Sequence, residues 1–159
     1  MRYPSFVSWK QWLLGCLLLC CLSIGWGHPA QAANFDRQSL RQQNFAGQDL
    51  RGNNYTSTDM AETDLSDTDL RGVRLFDTNL TKANLENADM TGATLDVARF
   101  IRANLKNAIL EGAYAFSTDF RKADIKGADF TDVLLDPKAN DMLCTIASGV
   151  NSVTGRDTR

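Results

Sequence analysis

Histidine occurs once in this 159-residue chain, at position 28, and the last tryptophan is Trp26. Three of the four cysteines, Cys16, Cys20 and Cys21, also fall within the first 32 residues. Residues 33–159 therefore hold no imidazole, no indole and a single thiol, Cys144. Without histidine there is no imidazole general base, no serine–histidine triad and no imidazole metal site. One thiol cannot form a dithiol couple, and no glycine-rich phosphate loop is present. The chain reads as a non-enzyme, with no catalytic, cofactor-binding or metal-ligating residue to nominate and no cofactor expected.

A long uncharged apolar run is found only at the start. Arg2 and Lys10 precede Trp12 to Gly27, 16 residues without a charge, and Ala30-Gln31-Ala32 then presents small side chains. This order is that of a secretory signal peptide spanning residues 1–32, cleaved between Ala32 and Ala33. Sixteen residues fall short of the roughly 20 that cross a hydrocarbon core, so a transient membrane encounter is expected over a permanent anchor. Leu13-Leu14-Gly15-Cys16 has a lipobox-like composition, but the apolar run follows Cys16 instead of preceding it. Removal of the leader takes away Arg2 and Lys10, leaving 15 basic against 19 acidic residues, a net charge near −4. That mild acidity gives no reason to expect nucleic-acid phosphate as a partner.

Large apolar residues recur every fifth position from Phe35 to Leu135, through Tyr55, Leu65, Leu85, Leu105 and Ile125. Twenty of these 21 positions are large, the exception being Ala115. Two residues before each, from Thr58 onward, stands a small side chain such as Thr63, Ala83, Ala103 or Ala123. A step of five turns an α-helix by about 140° and scatters the large residues around it. On a flat strand the same odd step alternates faces. Both conflicts vanish if the chain bends once per five residues, so that large and small residues point to one axis.

The units Ala83-Asn84-Leu85-Glu86-Asn87 and Ala88-Asp89-Met90-Thr91-Gly92 resemble the A(D/N)LXX motif of the pentapeptide-repeat family. The resemblance implies an all-β fold, a right-handed quadrilateral β-helix of four pentapeptides per coil. It covers residues 33–137, about five coils, with 138–159 as a C-terminal cap and tail and a helix expected over residues 138–147. The tail, in Leu143-Cys144 and Ala147-Ser148-Gly149, resembles thylakoid-lumen members of cyanobacteria and plants. Members of that group often carry a second tail cysteine. This chain reaches Arg159 without one, leaving Cys144 as a buried thiol, an intermolecular link or the sign of an incomplete terminus.

Three departures from the period are candidate functional features. In the first coil Gln38, Gln43, Gln48 and Asn53 hold the small inward slots, which reads as a hydrated terminal cap in preference to a docking edge. At Ala115 the flanking Tyr114 and Phe116 read as a local bulge in which one aromatic folds inward. The alternative is a partner patch of Phe76, Tyr114 and Phe116, since a 20-residue coil puts Phe76 and Phe116 on one face about 10 Å apart with Asp96 between them. An acidic row of Asp49, Asp69, Asp89 and Asp129 is read as corner residues bonded to backbone, in preference to a cation site.

Export, rigid repeat and missing catalytic groups point to a protein-interaction scaffold in the thylakoid lumen or periplasm, with a protein partner and no nucleic acid. The alternative is a DNA mimic that binds topoisomerase, a role some members of the resembled family have. It requires cytoplasmic access and a strongly acidic surface.

Overall fold

A computed structural model describes residues 32–158, in which the backbone winds with a stride of 20 residues. Asn34 bridges Asn54 in parallel, Asn54 bridges Arg74, Arg74 bridges Thr94 and Thr94 bridges Tyr114. The same ladder repeats on the other three sides, for example Asn44–Asp64–Asn84–Asn104–Asp124. Four pentapeptides therefore make one coil. The result is the right-handed quadrilateral β-helix, with coils about 4.8 Å apart. Among the described residues only two strands exceed a single bridge, β1 (Tyr114–Ala115) and β2 (Leu134–Leu135), which pair in parallel.

The fold follows from one repeated local choice. From Phe35 to Phe130 the second residue after each fifth position takes a left-handed backbone, as at Gln42 (φ 59°), Asn87 (φ 59°) and Gly112 (φ 65°). The residue just before the large one donates to the coil before, and the large residue donates to the coil after. Asn84 N–H thus reaches Thr63 O at 2.9 Å, while Leu85 N–H reaches Asn104 O at 2.7 Å. Asx side chains hold the corners: Oδ1 of Asp64, Asn79 and Asp89 accepts the amide two residues on.

Leu65, Leu85 and Leu105 are fully buried and stack along the axis, as do Met60, Leu80 and Phe100 on the adjacent side. Each such side chain contributes about 1.5–3 kcal/mol by leaving water. The small slots beside them are tight, which is why alanine and threonine fill them. Threonine fits because its hydroxyl finds a carbonyl: Thr63 donates to Met60 O and Thr78 to Tyr55 O, both at 2.7 Å.

The gap at Ala115 is closed differently from the expected bulge. Ala115 is buried and in register with Leu135, while Tyr114 and Phe116 both point outward. The space is taken within the same coil by Phe120 and Phe130, whose rings meet edge-to-face with centroids 5.9 Å apart.

The two ends differ. In the first coil Gln38, Gln43 and Gln48 are exposed, and Phe35, Leu40 and Phe45 are half-buried over Tyr55, Met60 and Leu65. Asn53 turns its side chain to Ala33 N–H and the Tyr55 hydroxyl. At the other end Pro137–Ile146 forms α1, one residue ahead of the expected helix at each end. Asp136 caps it, with Oδ1 accepting Ala139 N–H, and Ala139 and Leu143 face the last coil. Residues 148–158 then run back along the side of the rod. Asn151 is buried there, its amide donating to Asn107 O and Gly127 O. Gly127 is required at this crossing, because a Cβ would collide with the Asn107 side chain and approach Val150 O to 3.1 Å.

Among the described residues no helix is long and apolar enough to cross a membrane. The expected leader, apart from Ala32, lies outside the described residues.

Candidate protein-docking face

Each coil presents four sides, and their outward residues differ in chemistry. Three sides are charged. Arg41 pairs with Asp59 and Arg121 with Asp119 on one, and Lys106 pairs with Asp124 on the next. A ladder of Asp49, Arg51, Asp69 and Arg71 lines the third. There the Arg51 guanidinium holds the Asp49 carboxyl down at about 2, while the same contact raises Arg51. The acidic row is thus tied up locally: Asp49 and Asp69 by arginine, Asp89 by Thr91, Asp129 by Thr131 and Arg156. Among the described residues no cluster of side chains is arranged to hold a metal ion.

The remaining side carries residues 34–37, 54–57, 74–77, 94–97, 114–117 and 134–137, and among the described residues it has no ion pair. Instead it gathers five large apolar side chains that are exposed: Phe76 (41%), Val97 (42%), Tyr114 (48%), Phe116 (48%) and Leu134 (47%). No other side of the described coils exposes a large apolar residue to this degree. Phe76, Tyr114 and Phe116 are the residues that the sequence singled out, and the fold brings them together. Val97 and Leu134 complete the face. They were legible only by sorting every outward position by quarter-coil, because they stand at different offsets within their pentapeptides.

Backbone geometry marks the same place. Val97 sits in the left-handed region at φ 64° and is the one β-branched residue among the described non-glycine residues with positive φ. The others are polar or charged, such as Asn87, Arg102 and Lys122. A β-branched side chain is disfavoured in this backbone, and here it is not compensated by burial. Asp96, next to it, accepts the Phe116 N–H at 2.8 Å, which fixes the two coils in register beneath the aromatic rings. Asp136, two coils on from Asp96, accepts Ser117 N–H of the coil before it at 3.2 Å.

Cys144 is free and exposed on α1, which overturns the first of the three alternatives, a buried thiol. The helix turns Leu143, not its neighbour, toward the core.

A family model described as pentapeptide repeats matches residues 58–96 and 98–135 with eight copies. The chain is similar to the crystal structure of a pentapeptide repeat protein from the Arabidopsis thaliana thylakoid lumen. The two share 39% identity and a TM-score of 0.75, over 77% of this chain and 85% of the other. It is also similar to a pentapeptide repeat protein of Nostoc PCC 7120, with 30% identity and a TM-score of 0.58 over 66% and 86% of the two chains. The plasmid-mediated fluoroquinolone resistance protein QnrB1 matches at 18% identity, with a TM-score of 0.51 over 70% and 64%, a likeness of fold alone. No curated protein matches the chain.

Proposed function

The chain belongs to the pentapeptide-repeat family, and from that premise we propose that it is an exported, non-catalytic interaction rod of the thylakoid lumen or periplasm. The aromatic side of its coils is the docking surface. The observation that carries this reading is the segregation of Phe76, Val97, Tyr114, Phe116 and Leu134 onto a side that has no ion pair among the described residues. Exposed apolar patches of a few hundred Å² on a soluble protein commonly mark contact surfaces. Export is supported by the leader-like residues 1–32 and by the lumenal relative from Arabidopsis. The absence of histidine after residue 32 supports a role without chemistry.

A photo-crosslinking residue placed at Phe116 is expected to give one discrete adduct in the cell, and the same residue at Arg121, on a charged side, none. Equal labelling from both positions would remove the docking side. Fractionation tests the compartment: a processed form outside the cytoplasm is expected, and an unprocessed cytoplasmic form would overturn export. The topoisomerase-mimic alternative has less support, since the net charge after residue 32 is only near −4. Supercoiling by DNA gyrase is expected to proceed unchanged at micromolar protein.

A further inference from the structure

Resting on the docking role just proposed, we infer that the aromatic side grips one cationic side chain, lysine or arginine, of an otherwise apolar partner segment, between Phe76 and Phe116 and over the carboxylate of Asp96. The three residues stand at the same offset in successive coils, so the two ring-bearing positions are about 10 Å apart with the acid midway. A cation centred there lies about 5 Å from each ring, inside the roughly 6 Å over which an aromatic face attracts a positive charge. Both rings are nearly half exposed, and among the described residues neither takes part in a ring stack. Asp96 is held in place because one carboxylate oxygen accepts the Phe116 N–H, and no ion pair involves it among the described residues.

Charge on this side favours the same occupant. Asp77, Asp96 and Asp136 outnumber Arg74 across residues 74–137 of the face, while Val97, Tyr114 and Leu134 supply apolar ground around the clamp. A second copy of the chain fits less well. Five side chains each a little under half exposed offer roughly 400 Å², about half of the ~800 Å² per partner in a stable protein pair. A single segment with one basic residue among apolar ones matches both the area and the charge.

The test is a titration of the full chain, labelled for amide NMR, with two probes: acetyl-Leu-Arg-Leu-amide and its citrulline counterpart, which keeps the shape and removes the charge. The arginine peptide is expected to shift the amides of Asp96, Val97 and Phe116, with the Phe116 N–H reporting directly on the Asp96 carboxylate. Citrulline is expected to bind about fivefold more weakly. In Asp96→Asn, which keeps an acceptor for Phe116 N–H, the preference for arginine should shrink to the part supplied by the two rings. Phe116→Leu provides a second variant that preserves apolar area and removes the ring, and it should weaken the arginine peptide more than the citrulline one. Equal binding of the two peptides at this side would overturn the clamp and leave the docking surface standing. Shifts confined to other sides, or none at millimolar peptide, would overturn both.

Discussion

Phe120 and Phe130 meet edge-on across the axis at 5.9 Å in the one coil where a large-residue slot holds Ala115. The three belong to a single layer, with Phe120 also stacked on Phe100 of the coil before at 5.3 Å. Volume missing from one corner is thus supplied by two others. Ala115→Leu is therefore an overpacking change, expected to cost about 1–3 kcal/mol. Adding Phe130→Leu should return part of that loss, so that the two substitutions are non-additive in a thermal or denaturant cycle. Additive losses would mean that the layer is not shared in this way.

Leu85 is fully buried midway along the rod, between Leu65 and Leu105. Leu85→Asp puts a carboxylate on the axis with no cation within the core to meet it. Such a charge is severely destabilising, on the order of 4 kcal/mol or more. Loss of the cooperative melt at ordinary temperature is the expected result in circular dichroism, and an unchanged melting temperature would contradict the stacked column.

The five-residue period was legible because it reflects a single local constraint, one bend per large residue, repeated through Leu65, Leu85 and Leu105. The filling of the Ala115 gap was not legible, since the compensating rings lie 5 and 15 residues later in the same coil, on the two sides that flank it. A reading along one column cannot see across to the others. The aromatic side was half legible: Phe76 and Phe116 share an offset, whereas Val97 and Leu134 join them only once outward side chains are sorted by side. The course of residues 148–158 was not legible at all. It depends on contacts such as Asn151 to Asn107, 44 positions apart, in a segment that has no period.

That tail is expected to be the acid-sensitive part of the molecule. The carboxylate of Asp129 is buried, and burial alone pushes its pKa up. The hydroxyl and amide of Thr131, a bond from Thr154 and the positive charge of Arg156 outweigh burial and leave it below the ordinary aspartate value. Arg156 also pairs with Glu111 at 2.7 Å, so one guanidinium straps the tail to two coils. A depressed folded-state pKa contributes stability that is present above the unfolded value near 4 and is lost as pH falls through the folded one. Amide exchange at Gly127 and Asn151 should accelerate below about pH 4 before the central coils lose protection. Asp129→Ala removes an acceptor of Arg156 and should release the tail at neutral pH, at a cost of about 1–3 kcal/mol. Simultaneous loss of the tail and the coils on acidification would show that the strap is not an independent unit.

Val97 separates stability from function on the aromatic side. Its left-handed backbone, φ 64°, costs an L-residue on the order of 1–2 kcal/mol, while asparagine and glycine adopt that region at much lower cost. Val97 is 42% exposed, so little burial is lost by removing its isopropyl group. Val97→Asn is accordingly expected to raise stability by about 1 kcal/mol, read as a higher melting temperature. The same variant should give less adduct from a crosslinker at Phe116, because an amide replaces the apolar ground beside the clamp. A stabilised variant with undiminished adduct would show that Val97 is strained for no reason connected with docking. A destabilised one would mean that its methyl groups pack more firmly than their exposure indicates.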